Sequence, residues 1–301
     1  MFFENSRLQQ AWDNTSIAVF KDCPRKYFLN SVQGWRARGI SPPLAWGGAM
    51  HDCYEVYDKA KIEGASTEAA LCLSIRRAFE LAAAGFGDDN RRTLLTLLRS
   101  IVWYSEQYVS DVLQTYRFPN GRVGLEMSFS FPLPFSPAGS TTPYYYSGHI
   151  DKLALYSDSL YAVERKSTTV ALSEQFFARY THSAQIGGYV YAGKVIFDTP
   201  VSGAIIEATQ VGVNFTRFGR LVVHRINDLL EEWMGDLHQW IRWVESCHKE
   251  DYWPANTESC SKYNGCQFRN VCSKNRELRP LMLETDFVQN RWNPLVTRGD
   301  V

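Results

Sequence analysis

The sequence predicts an α/β fold, with a central mixed sheet of about five strands and helices on its faces. Two changes of pattern carry that expectation. Apolar residues recur at helical spacing up to Asn120, and from Val123 to Ser167 they alternate with polar ones. The two periods then interchange again, giving the order helices, three strands, helix, two strands, helix.

Each element has its own signal. "DNTSIAVFKDCPRKYFLNSV" predicts a short helix with Thr15 or Ser16 near its cap, then Cys23 and a new turn begun by Pro24. "SPPLAWGGAM" predicts a loop, punctuated by Pro42, Pro43, Gly47 and Gly48. Helices follow from about Ala49 to Lys61 and over "STEAALCLSIRRAFELAAA". A third covers "DDNRRTLLTLLRSIVWYSEQYVSDVL", where Leu94, Leu98, Ile101 and Val102 fall at helical spacing. "VGLEMSFSFPL", "TPYYYSGHIDKLALY" and "SLYAVERKS" predict three strands. "SEQFFARYTHSAQIGGYVYAGKVIF" predicts one helix capped by Ser173. Strands over "VSGAIIEATQVGV" and "GRLVVHRI" turn around "NFTRFG", and Asn227 caps a long amphipathic helix ending near Glu250.

Composition narrows the function classes. A chain of 301 residues, 45% hydrophobic and 21% charged, can bury a sizeable core. A net charge of zero excludes a generally basic coat but leaves room for a local basic groove. The first twenty residues lack the pattern of a signal peptide, and no stretch approaches the roughly 18 apolar residues of a membrane span. Seven cysteines without a secretion signal favour a reducing compartment, where clustered thiols more often bind metal than form disulfides.

The chemistry concentrates in "GHIDKLALYSDSLYAVERKSTT". Asp151 and Glu164 are equidistant from Ser157-Asp158, so a two-residue loop pairing Tyr156 with Ser159 sets them opposite each other. Lys166 then shares the face of Glu164 while Arg165 points the other way. Two adjacent carboxylates repel unless a cation lies between them, and hard oxygen ligands suit Mg²⁺ or Mn²⁺. With a lysine to orient water and stabilise a phosphate, the set suits metal-assisted phosphodiester hydrolysis. The alternative is a structural ion pair between Lys166 and one carboxylate. Further along, Gln185 and Tyr189 lie four apart on one helix face, His51 follows a Gly-Gly approach, and Glu126 sits in the preceding strand. Taken singly, these are ordinary surface or packing residues.

"CSKYNGCQFRNVC" spaces Cys260, Cys266 and Cys272 by two equal gaps of five residues, a metal-ligand set short of a fourth member, which Cys23 could supply. Four thiolates suit either a tetrahedral Zn²⁺ or a cubane iron–sulfur cluster, and the spacing does not choose. Cys53, Cys72 and Cys247 fall on predicted helices and are expected to be small core residues.

In order along nearly the whole chain, "CPRKYFL", "GGAMH", "GHID", "ERKST", "QIGGY" and "CQFRNVC" resemble the motifs of the PD-(D/E)XK nuclease superfamily, and within it the RecB-like exonucleases that carry an iron–sulfur cluster. The resemblance implies a single nuclease domain with a restriction-endonuclease-like core at about 41–248, cluster-binding segments at about 15–40 and 249–276, and a tail at 277–301. It implies that His51, Asp151, Glu164 and the main-chain carbonyl of Arg165 ligate a catalytic Mg²⁺ or Mn²⁺, and that Lys166 is the catalytic lysine. It further implies that Gln185 and Tyr189 hold DNA near the cleavage site. Cys23, Cys260, Cys266 and Cys272 would bind a [4Fe–4S] cluster, with Zn²⁺ as the alternative, joining the two ends of the chain.

Two residues commonly separate the second and third cysteines in relatives, against five in this chain. His149 stands where arginine is frequent and Arg165 where an apolar residue is frequent; the charge of Arg165 is expected on an outer face that meets DNA. The implied activity is exonucleolytic cleavage of single strands or DNA ends, in recombination, repair, CRISPR adaptation or phage DNA metabolism. The implied location is the cytoplasm of a prokaryotic cell or phage-infected host, with no membrane contact. Recombination or CRISPR-type partner proteins and an oligomer are compatible with it. The rival class is a non-catalytic DNA-end-binding subunit with the same fold and cluster. Tyr144, Tyr145 and Tyr146 are either base-stacking residues or strand packing, and Arg25, Lys26, Arg36 and Arg38 either phosphate contacts or solvated charges.

Overall fold

The computed structural model describes residues 2–4, 6–39, 41–83, 85–86, 90–197 and 200–296. In chain order the elements are β1 (Ala11–Trp12), α1 (Asn14–Asp22), α2 (Pro24–Tyr27), β2 (Trp35–Ala37), α3 (Pro42–Ile62), α4 (Thr67–Ala82), α5 (Leu94–Gln107), β3 (Gln114–Thr115) and β4 (Leu125–Pro132). They continue as β5 (Tyr145–Tyr156), β6 (Ser159–Thr168), α6 (Glu174–Thr181), α7 (Ala184–Ile196), β7 (Val201–Val211), β8 (Thr216–His224), α8 (Asn227–Lys249), α9 (Arg269–Cys272), α10 (Arg279–Asp286) and β9 (Phe287–Gln289).

The fold is α/β with a mixed sheet. Its strand order is β1-β5-β6-β7-β8, with β3 and β4 also paired to β5. β1 runs parallel to β5 and β6 parallel to β7, while β5–β6 and β7–β8 are antiparallel. Among the described residues the sheet has seven strands where five are expected, and the two added, β1 and β3, are two residues long and carry no readable alternation. The chain divides into two compact units. Of the described residues, one comprises those in 2–39, 129–148 and 227–296, and the other those in 41–128 and 149–226.

In the second unit α3, α4 and α5 pack together, α3 also against β6 and α5 against β7 and β8. Trp46, Met50, Tyr54, Leu97, Ile101 and Tyr104 form the core of that layer. α7 packs on β6 and β7. Three sequence expectations fail in this unit. "SPPLAWGGAM" is the start of α3 and not a loop: Pro42 and Pro43 occupy the first turn, where the missing N–H costs nothing. Gly47 gives the helix a close approach to β6: a Cβ there would lie 3.2 Å from Ser167 Oγ, which would have to shift by a few tenths of an ångström. The helix expected over 88–113 is shorter, opened by a Thr93/Thr96 capping box and finished at Gln107. The helix expected over 173–197 is two, α6 and α7, broken at His182 and Ser183.

In the first unit Asp13, and not Thr15 or Ser16, caps α1, accepting the Ser16 N–H at 2.7 Å. Leu29, Phe268, Val271, Leu283 and Phe287 make a small core, with Cys266 and Cys272 packed against it. β9 pairs antiparallel with β2, and Trp292 Nε1 donates to Asp13 Oδ2 at 2.6 Å, so the tail is folded into this unit through Val296. Residues 297–301 lie outside the described residues.

Candidate active site

The site is built on the β5–β6 hairpin. Tyr156 pairs with Ser159 and the register holds through Lys152 and Val163. Ser157 and Asp158 have φ of 46° and 61°, the left-handed pair that a two-residue type I′ loop requires. One residue further along each strand come Asp151 and Glu164, as their spacing predicts. The Arg165 N–H donates to Asp151 Oδ2 at 2.8 Å.

α3 and β4 complete a ligand set around Asp151. His51 Nδ1 lies 3.4 Å from Asp151 Oδ1. His51, Glu126 and Asp151 each offer one ligand atom, and these atoms all lie within 4.8 Å of one another. Glu126 carries a φ of 45°, uncommon for a side-chain-bearing residue in a strand. Desolvation works to lower the His51 pKa, but the Asp151 carboxylate outweighs it and the net shift is upward. Desolvation works to raise that of Asp151, and His51 with the Arg165 N–H reverses it, so Asp151 is held ionised. A histidine nitrogen and two buried carboxylates form a donor set suited to a divalent ion.

Glu164 is engaged by α7 and by its own strand. Its Oε1 accepts from Lys166 Nζ and, at 3.1 Å, from Gln185 Nε2. Tyr189 OH donates to its Oε2 at 2.5 Å and accepts from Gln185 Nε2 at 2.6 Å. Gln185 and Tyr189, expected beside DNA, also hydrogen-bond Glu164, the carboxylate expected to hold metal. Burial first, and Glu164 second, raise the Tyr189 phenol well above its ordinary pKa, which keeps it a donor. Burial pulls the Lys166 pKa down, yet Glu164 overrides this and raises it, so Lys166 stands as an ammonium.

Arg165 is corrected by the structure. It does not stand on an outer face: it is 1% exposed and enclosed by α3, α5 and β7. Its Nη2 donates to Asp58 Oδ2 at 2.5 Å and its Nε to Glu207 Oε1 at 3.2 Å. Its guanidinium lies 5.3 Å from the Tyr54 ring centroid, and Tyr54 stacks on Tyr104 at 4.2 Å. Glu207 Oε2 accepts from Arg220 Nε at 2.8 Å, and Arg220 grips Asp111 through both terminal nitrogens at 2.5 and 2.7 Å. Lys152 Nζ lies 3.3 Å from Asp58 Oδ2. Alternation fixes the direction of Arg165, but says nothing of helices drawn from residues a hundred positions earlier.

Sequence reasoning passed over Glu126 as a solvated strand glutamate and did not single out Asp58, Asp111, Glu207 or Arg220. A lone acid in a strand carries no local signal that it is buried.

Elsewhere the placements are mixed. Cys23, Cys260, Cys266 and Cys272 are free and belong to one unit. The Asn256 N–H donates to Cys23 Sγ at 3.3 Å, burial raises the Cys266 and Cys272 thiols, and Arg25 hydrogen-bonds Cys272. Among the described residues, no three of these thiols lie within 4.8 Å of one another. Four thiolates on one tetrahedral Zn²⁺ would stand about 3.8 Å apart, given Zn–S of about 2.3 Å. Cys53 is buried as expected; Cys72 is exposed and Cys247 half-buried, because a helix position does not fix its face. Tyr144, just before β5, and Tyr146, within it, are buried packing residues. Arg25, Arg36 and Arg38 donate to the Trp253, Asn290 and Thr285 carbonyls, and Lys26 pairs with Asp22. Among the described residues no helix is long and apolar enough to cross a membrane.

Comparison with known proteins bears on the fold. A protein from Eubacterium rectale, provisionally described as an exonuclease, superposes with a TM-score of 0.50 over 93% of each chain at 10% identity. The protein SSO0001 aligns over 90% of this chain and 89% of its own at 12% identity, with a TM-score of 0.36, too low to bear on the fold. Among curated proteins none matches the sequence. The family model of the PD-(D/E)XK nuclease superfamily matches residues 13–273, which hold every side chain of the hairpin site, and the chain therefore belongs to the PD-(D/E)XK nuclease superfamily.

Proposed function

We propose that the protein is a divalent-metal-dependent deoxyribonuclease, an exonuclease acting on single strands or DNA ends. The observation that carries the reading is the convergence of His51, Glu126 and Asp151 beside a Glu164–Lys166 pair on the next strand. His51, Asp151, Glu164 and the Arg165 carbonyl would hold Mg²⁺ or Mn²⁺, and Glu126 joins them. When bound, the ion supplies Lewis-acid polarisation of the phosphate and lowers the pKa of its water. Lys166, kept protonated, presents an ammonium to the phosphate oxygens and orients the attacking water. Gln185 and Tyr189 fix Glu164 in one rotamer through both of its oxygens.

Cys23, Cys260, Cys266 and Cys272 would hold a [4Fe–4S] cluster, in recombination, repair, CRISPR-type or phage DNA metabolism. The reading is supported by the N–H bond to Cys23, by the cation beside Cys272 and by apolar packing around Cys266 and Cys272.

The test is degradation of end-labelled single- and double-stranded DNA with Mn²⁺, comparing the protein with Lys166→Ala. Cleavage lost in the variant supports the nuclease, and the label released gives its direction. If both bind DNA and neither cuts, the protein is an end-binding subunit. Iron and acid-labile sulfide after anaerobic purification, absent from Cys23→Ser and retained by Cys72→Ser, test the cluster; zinc in their place selects the alternative.

A further inference from the structure

The site as described leaves its supports unassigned. His51, Asp151 and Glu164 come from α3, β5 and β6, and side chains alone do not keep three elements in register. One buried carboxylate of α3 meets both strands. Asp58 lies seven residues after His51 on α3, two turns along the same helix face, or about 10.5 Å of rise. Its Oδ2 meets Lys152 Nζ at 3.3 Å, and Lys152 is the neighbour of Asp151 on β5. The same oxygen accepts from Arg165 Nη2 at 2.5 Å, and Arg165 stands between Glu164 and Lys166 on β6. All three side chains are buried.

We infer that Asp58 is a positioning residue for the metal set, a single buried anion that ties α3, two turns past His51, to the neighbour of Asp151 on β5 and the neighbour of Glu164 on β6. The inference rests on the reading of His51, Asp151 and Glu164 as a divalent-metal site. Its mechanical path is short. Arg165, anchored by Asp58 and Glu207, presents its backbone N–H to Asp151 Oδ2 at 2.8 Å, so a shift of the guanidinium moves the hydrogen bond that aims Asp151. Lys152 restrains the opposite strand from the same point, and the helix carrying His51 is pinned by Asp58 itself. Asp111 provides a natural comparator: it belongs to the same ionic chain through Arg220, but touches none of the ligand-bearing residues.

The experiment titrates Mn²⁺ alone into purified protein and reads free Mn²⁺ by electron paramagnetic resonance, without DNA. Asp58→Asn is expected to weaken Mn²⁺ binding about 10- to 100-fold, the usual effect of removing a group that orients a ligand. Asp111→Asn is expected to lower the urea midpoint and leave Mn²⁺ binding as in the wild type. Lys152→Met is expected to shift binding in the direction of Asp58→Asn, and it decides the matter if circular dichroism shows Asp58→Asn unfolded. Asp151→Asn serves as the control on the underlying reading. If it has lost Mn²⁺ while folded Asp58→Asn and Lys152→Met bind normally, the positioning role is overturned and the metal site stands. If Asp151→Asn binds Mn²⁺ as well as the wild type, the metal-site reading is overturned and this inference with it. If Asp111→Asn weakens binding as much as Asp58→Asn, the effect is general loosening and the positioning role is overturned.

Discussion

The two faces of β6 carry similar residues to opposite ends. On one, Glu164 and Lys166 meet Gln185, Tyr189 and the neighbouring His51–Glu126–Asp151 set; on the other, Arg165 meets Asp58, Glu207 and Tyr104. The back face is matched: Asp58, Glu207 and Asp111 are shared among Lys152, Arg165 and Arg220 under complete burial of Arg165. The front keeps Lys166 with a side chain 31% exposed and gathers carboxylates beside it. The back acids each have a lysine or arginine partner, whereas the front acids, equally buried, converge with His51 into a set suited to a divalent ion. One residue of chain separates the two uses.

The largest effect should fall on the front. Lys166→Ala is expected to lower Mn²⁺-dependent cleavage of end-labelled DNA by about 10²- to 10⁴-fold, with the urea midpoint little changed. A comparable loss of stability would erase the distinction between the faces. Next comes the back: Arg165→Met takes one of two cations from each of Asp58 and Glu207, leaving them to Lys152 and Arg220, and should cost up to about 3–5 kcal/mol in urea unfolding.

A third test uses pH. Burial works to raise the Asp58 pKa, but Lys152 and Arg165 override it and hold it below its ordinary value of 3.8. A depressed folded-state pKa contributes stability that is present above 3.8 and lost as pH falls through the folded value. Urea midpoints of the wild type should therefore drop more steeply below that point than those of Asp58→Asn, and parallel curves would argue against the assignment. The smallest effect concerns the hairpin that joins the faces. Asp158→Gly removes a side chain from a φ of 61° and should change stability by no more than about 1 kcal/mol, leaving cleavage intact.

How much of this was legible in the chain follows from what local patterns encode. The hairpin register was readable because its loop is two residues long and its arms are symmetric about Ser157 and Asp158. The partners of Arg165 were not, because α3 and α5 reach it from Asp58 and Tyr104, far off in sequence. Pro42, Pro43, Gly47 and Gly48 mark loops by composition, yet all lie in α3, where the prolines serve the helix start and Gly47 a close approach to Ser167. Glu126 was missed for a related reason: strand alternation separates two faces, but burial of its polar face depends on what packs there. The four cysteines were found by spacing, which gives membership and not geometry.

The tight Ser157-Asp158 loop also sets an order of events. Asp151 and Glu164 sit on arms that can zip together in roughly 1–10 μs, whereas His51 must return across about a hundred residues before it reaches them. The acidic pair is thus a product of early local pairing, and the histidine arrives when the helical layer docks. A refolding chain that had formed only this hairpin would hold the Asp151–Glu164 pair without His51, and the set of His51, Glu126 and Asp151 would be complete only once α3 had docked.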